Sequence, residues 1–117
     1  MLRASAVANN ISVNLKSVTD TTLESGVEHG GLLLAFADAV CGSNAAALDI
    51  ARNALRDTMG PGALVQAAAI AGNFSMNDRA ANAMGIPMEG MFLVDSQQYR
   101  AELGLNDFPS ARNTPKR

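Results

Sequence analysis

Apolar residues along this chain recur at three- and four-residue intervals, and no segment alternates apolar with polar positions for more than a few residues. The nearest approach to a strand is Met91 to Val94. In GGLLLAFADAV, Leu32, Leu33, Phe36, Ala37 and Val40 fall on one face, and Gly42 followed by Ser43 and Asn44 ends the turn, which predicts a helix. Ser43 or Asn44 can then accept the first backbone N–H groups of a second helix. There Leu48, Ala51, Leu55 and Met59 form an apolar stripe opposite Asp49, Arg52, Arg56 and Asp57. Gly60 closes that helix, and Pro61 fits the first position of the next, where its missing N–H costs nothing.

The third segment, ALVQAAAIAGNFSMNDRAANAM, runs to Gly85 and is apolar nearly all round in its first half. A helix of that kind is covered on most sides, by neighbouring helices or by another subunit. Gly72 in its middle costs about 1 kcal/mol relative to Ala, which leads us to expect a close backbone contact there. Ile86 and Pro87 end the helix and extended chain is expected to follow. Ser96 can cap a last short helix, QQYRAEL, ended by Gly104, and residues 105–117 read as a loosely held tail. Upstream, Ile11, Leu15, Val18 and Thr22 recur at helical spacing before Gly26, but the β-branched Val13, Thr19, Thr21 and Thr22 oppose a helix. That stretch is either a helix broken near Thr19 to Asp20 or a frayed terminal arm. The expectation is an all-α, single-domain chain, a bundle of four to five helices with a less ordered C-terminal tail.

Composition narrows the function classes. With 117 residues, one domain with a modest core is expected. A net charge of -2 provides no broad positive field for a phosphate backbone, and the only basic cluster is Arg112, Lys116 and Arg117, so nucleic acid is not an expected partner. The longest apolar run, Ala63 to Ala71 interrupted by Gln66, is too short to span a bilayer, and MLRASAVANN holds no continuous apolar targeting core, so no membrane association is expected. One cysteine, Cys41, precludes an intrachain disulfide and fits a cytoplasmic location. One histidine, His29, precludes any metal site needing two imidazoles from one chain, and no cofactor is expected. The alanine- and methionine-rich apolar set favours closely packed helices.

The order Phe36 to Ala39, Gly60 to Pro61, Asn73 to Phe74, Arg79, and Ala83 to Pro87 resembles the C-terminal half of the alkylhydroperoxidase (AhpD)-like and carboxymuconolactone decarboxylase-like superfamily, over residues 32–89. The resemblance implies an all-helical fold that assembles into homo-oligomers, with room for a small-molecule ligand in a pocket between subunits. It also implies a Cys-x-x-Cys with a nearby His and an upstream Glu, and here this chain departs: Ile11 and Asn14 fall near the two cysteine positions. Dithiol peroxide reduction needs one thiolate to attack and a second to resolve the sulfenic acid, a cycle that Cys41 cannot close within the chain. The expectation is therefore a non-redox, degenerate or truncated relative. The alternatives are a cofactor-free decarboxylase or lyase using His29 with Glu28 or Glu24 as its acid–base set, or the remnant of a peroxidase whose catalytic half is absent.

The remaining polar residues carry structural expectations. His29 reads as an exposed corner or cap, Cys41 as a small inert hydrophobe at a helix C-terminus, where the dipole disfavours a thiolate. Asn73, Asp78 and Arg79 suggest inter-helix hydrogen bonding, with Ser75 and Arg79 an i,i+4 pair. Met76, Met84, Met88 and Met91 read as core or interface filler.

Overall fold

A computed structural model describes residue 6 and residues 8–114. The reading of the extreme N-terminus and the basic residues Lys116 and Arg117 thus lie largely outside the described residues. The described chain is all-α, with no strand among those residues: α1 (Gly30–Cys41), α2 (Ala45–Met59), α3 (Pro61–Met84), α4 (Gly90–Asp95) and α5 (Gln97–Glu102), with short 3-10 turns at Leu15–Val18, Leu105–Asp107 and Pro109–Asn113. Two compact units divide it between Phe74 and Ser75.

In the first unit, α1 packs against α2. Their stripes face inward as the spacing requires: Phe36 is 4 % exposed and Leu55 fully buried, with Leu32, Leu33, Val40, Leu48, Ala51 and Met59 half-buried around them. Burying a side chain of that size contributes ~1.5–3 kcal/mol, so Phe36 and Leu55 dominate this small core. Of the two candidate caps, Ser43 and Asn44, it is Asn44 that caps α2, its Oδ1 accepting from Ala47 N–H at 3.1 Å. On the solvent side Arg52 pairs with Asp49 at 2.6 Å and Arg56 with Asp57 at 2.9 Å. Gly60, at φ +88°, is the only residue between α2 and Pro61. An L side chain resists that conformation, which is why glycine stands at the corner.

Ahead of α1 the expected helix does not form. Between Ile11 and Gly26, Leu15–Val18 forms a 3-10 helix and the flanking residues make turns and a tied loop. Polar side chains capture the backbone instead: Asn14 Oδ1 accepts from Lys16 N–H at 3.1 Å, and Asp20 Oδ1 accepts from both the N–H and the hydroxyl of Thr22, at 3.0 and 2.6 Å. Asn14 N–H donates to the Ser25 carbonyl at 2.9 Å, and buried Ser17 donates its hydroxyl to the Asn14 carbonyl at 2.7 Å, so the loop is closed on itself. Gly26, at φ +77°, lies so close to the Ser12 carbonyl that a Cβ there would collide with it.

In the second unit, the C-terminal end of α3 closes in a Schellman arrangement, with Ile86 N–H donating to the Ala81 carbonyl at 3.0 Å and Gly85 N–H to Asn82 at 3.2 Å, Gly85 being left-handed. Residues 90–95, expected to be extended, are helical: Leu93 N–H reaches the Glu89 carbonyl at 2.8 Å and continues into Ser96 N–H on Phe92 at 3.0 Å. Ser96 does not cap α5 with its side chain; its hydroxyl donates back to the Phe92 carbonyl and accepts from Arg100. Arg100 also donates to the Leu93 carbonyl at 2.8 Å and to Asn106 Oδ1 at 3.2 Å, tying α4, α5 and the following 3-10 turn together. The segment from Leu105, which has no hydrophobic period, is wound into two 3-10 turns, and Thr114 accepts at its hydroxyl from Met88 N–H at 2.9 Å. These bonds rest on single polar atoms, which leave no periodic trace in a sequence.

Candidate functional site

Three places carry the features from which a site could be built: the His29 corner, a groove between α1 and α2, and the surface of α3. His29 stands at the N-cap of α1 in the left-handed region, φ +55°, with no side-chain cap bond; its carbonyl accepts from Leu33 N–H at 3.1 Å. Its Nε2 lies 3.8 Å from Glu28 Oε1, and both side chains are exposed. Ser25 organises this corner, its hydroxyl accepting from Val27 N–H at 3.1 Å. Gly30 follows because a Cβ there would run into the Ser25 side chain. His29 and Glu28 are thus adjacent, while neither they nor Glu24 line the groove.

The groove has a volume of about 670 Å³. It runs along Leu32, Ala35 and Ala39 on α1 and Ala47, Ile50 and Ala54 on α2, with Asp38, Ser43 and Asn44 at the corner end. Small side chains make it: alanines on both helices leave a valley that larger residues would fill. The sequence reading assigned α2 one apolar stripe. Ile50, 72 % exposed, and Ala54 add a second edge, and the signal was an isoleucine on an otherwise charged side of the helix.

The 24-residue α3 contains no buried residue. Its first half was expected to be covered, yet Val65 is 68 % exposed, Ile70 61 % and Phe74 62 %. Gly72 has nothing within 4 Å of the place a Cβ would occupy, so the close backbone contact expected there is not made within the chain. Of the polar residues on this helix, Arg79 donates to Ser75 Oγ at 3.2 Å, the expected i,i+4 pair. Asn73 and Asp78 are exposed and take no part in that pair. Met76, Met84 and Met91 are exposed too, so they fill no core within the chain; Met88 is 40 % exposed, its sulfur 3.4 Å from Ser96 Oγ.

Cys41, the last residue of α1, is exposed rather than packed as a small hydrophobe. Ile11 is half-exposed and Asn14 serves its own loop. Among the described residues no three His, Cys, Asp or Glu side chains are grouped to hold a metal ion, and no helix is long and apolar enough to cross a membrane. The hydroxyl and then the N–H of Thr22 hold Asp20 below its ordinary 3.8 by stabilising the carboxylate. This is loop architecture, and Thr21, held between the two partners, lines the α1–α2 groove. Comparison with family models, with curated proteins and with solved structures returns no match to this chain.

Proposed function

We propose that this chain is a non-redox helical module of the alkylhydroperoxidase-like type whose function is self-association, with α3 as the associating element. One observation carries the reading: residues 58–77 hold no charged side chain, and the α3 portion of that stretch exposes Val65, Ile70, Phe74 and Met76 with no residue buried. A helix standing in water on its own carries a charged face; one that is apolar around its circumference belongs in an interior, and when the chain supplies none, a second copy is the simplest source. Closed homo-oligomers are the commonest assemblies of soluble proteins. The order of helix, charged amphipathic helix, Gly-Pro corner and small-residue helix supports the superfamily assignment, and the residues at the positions of the missing cysteine pair support a non-redox role. The acid–base alternative has the His29–Glu28 pairing in its favour, but those residues do not line the α1–α2 groove.

Light scattering across a hundredfold dilution tests the reading. The expected result is a mass above one chain that falls to one chain when Val65 is replaced by Glu, with the far-ultraviolet circular dichroism unchanged. A wild-type mass of one chain at every concentration would remove the proposal. Turnover of hydrogen peroxide with a dithiol reductant that is lost on Cys41→Ser would overturn the non-redox assignment.

A further inference from the structure

The geometry points to Met88 as a site of reversible oxidation by a hydroperoxide, its sulfoxide oxygen being held by the Arg100 guanidinium. The site lies wholly within the second unit. Among the described residues, Met88 is the one methionine whose sulfur meets polar hydrogens: Ser96 Oγ stands 3.4 Å from it and Arg100 Nη1 3.5 Å. Met76, Met84 and Met91 are left to water. At 40 % exposure Met88 is itself open to a small oxidant.

The thioether is the poorest acceptor in this cluster. Nη1 carries two protons, and the Leu93 carbonyl at 2.8 Å and the Ser96 hydroxyl both take them better than sulfur does. The single Ser96 proton goes to the Phe92 carbonyl. Sulfur therefore rests beside a cation while contributing little to holding it. Oxidation changes that one property. The sulfur lone pair forms a bond to the terminal peroxide oxygen as the O–O bond breaks; the thioether loses two electrons and the hydroperoxide is reduced to its alcohol, or hydrogen peroxide to water. The proton of the transferred hydroxyl passes to the leaving oxygen, so no further reductant or proton donor is needed. One hydroperoxide is consumed per chain, which makes this a modification and not turnover.

The sulfoxide oxygen is a strong acceptor. Placed on the donor side of the sulfur, it lies between Met88 and Nη1, and the unbranched side chain withdraws until the N–H···O contact is about 2.8 Å. The Nη1 proton shared with Ser96 passes to it, while the Arg100 bonds to Leu93 and Asn106 stay. A sulfoxide in an apolar core disrupts packing. Here it meets a guanidinium, and a bond from a charged donor is about twice as strong as a neutral one, so oxidation tightens the fold. Met88 N–H already donates to the Thr114 hydroxyl at 2.9 Å, across 26 residues of chain. A side-chain tie from the same residue to Arg100 keeps that bond shut, because opening it requires Met88 to move.

The test uses Cys41→Ser protein, which removes the competing thiol. Hydrogen peroxide oxidation is followed residue by residue by peptide mass spectrometry, and exchange of the Met88 amide hydrogen by NMR. Oxidation at Met88 should slow that exchange at least fivefold, and the two methionine sulfoxide reductases, one for each epimer, should restore it. Met88→Gln puts a carbonyl where the sulfoxide oxygen would stand and should slow the residue 88 amide comparably without oxidant. Met88→Leu should not, even with the other methionines oxidised. In Arg100→Gln protein the Met88→Gln and Met88→Leu rates should coincide, a comparison in which the loss of Arg100 is common to both. Exchange that is equal or faster after oxidation at Met88, or a slowing by Met88→Gln that persists without Arg100, overturns the proposal. So does a protein in which Met76, Met84 and Met91 are oxidised and Met88 is not.

Discussion

The α1–α2 hairpin and the first half of α3 differ in what their sequences leave to the outside. In α2, charged residues mark the water side and Leu55 the core side, so the main polarity is resolved within one chain and Ile50 is the large apolar residue left outside. Residues 61–74 of α3 carry no charge, with Gln66 and Asn73 as their polar side chains, and none of them is buried. Amphipathic helices declare their own partner by their pattern, whereas a uniformly apolar helix states only that a partner is required. Hydrophobic burial has no directional component, so a helix with an all-round apolar surface can satisfy it on any side.

The largest expected effect lies on the resolved side of this comparison. Leu55→Ala removes a fully buried side chain from a core with few others, and urea unfolding should show a loss of about 2–5 kcal/mol. Gly26→Ala, at a left-handed position against the Ser12 carbonyl, should cost about 1–3 kcal/mol in the same measurement. Gly72→Ala sharpens the contrast, because space around it is open within the chain. It should stabilise the isolated chain by up to about 1 kcal/mol, read by thermal melting at a concentration where one chain is present, and should weaken association where a partner backbone approaches. Asn44→Ala should cost about 1 kcal/mol through the lost cap on Ala47.

The smallest effect concerns pH. Asp20 has its folded-state pKa lowered by the Thr22 hydroxyl and N–H, so the unfolded chain binds the proton more readily. Its contribution to stability is fully present above the ordinary carboxylate range and is lost as pH falls through the lowered value. Asp20→Asn should flatten the acid limb of the stability profile between about pH 5 and pH 2. An unchanged limb would show that the Thr22 bonds do not persist in solution.

Sequence by itself determined the all-α class, the α1 and α2 boundaries with a cap at Ser43 or Asn44, the Gly60–Pro61 corner and the Gly85 stop, because each depends on neighbours three or four residues away. Tertiary structure alone decided the loop before α1, where Asn14 meets Ser25 across the chain and helical spacing is overridden by polar side chains binding the backbone. It also decided the helix at Gly90–Asp95, whose short apolar run fits either regular structure, and the turns after Leu105, set by Arg100 and Thr114. For the candidate site, His29 and Glu28 were legible as neighbours, but the α1–α2 groove was not. It arises where Ala35 and Ala39 face Ala47 and Ala54, residues far apart in the chain, and a valley between helices exists only once their axes are placed.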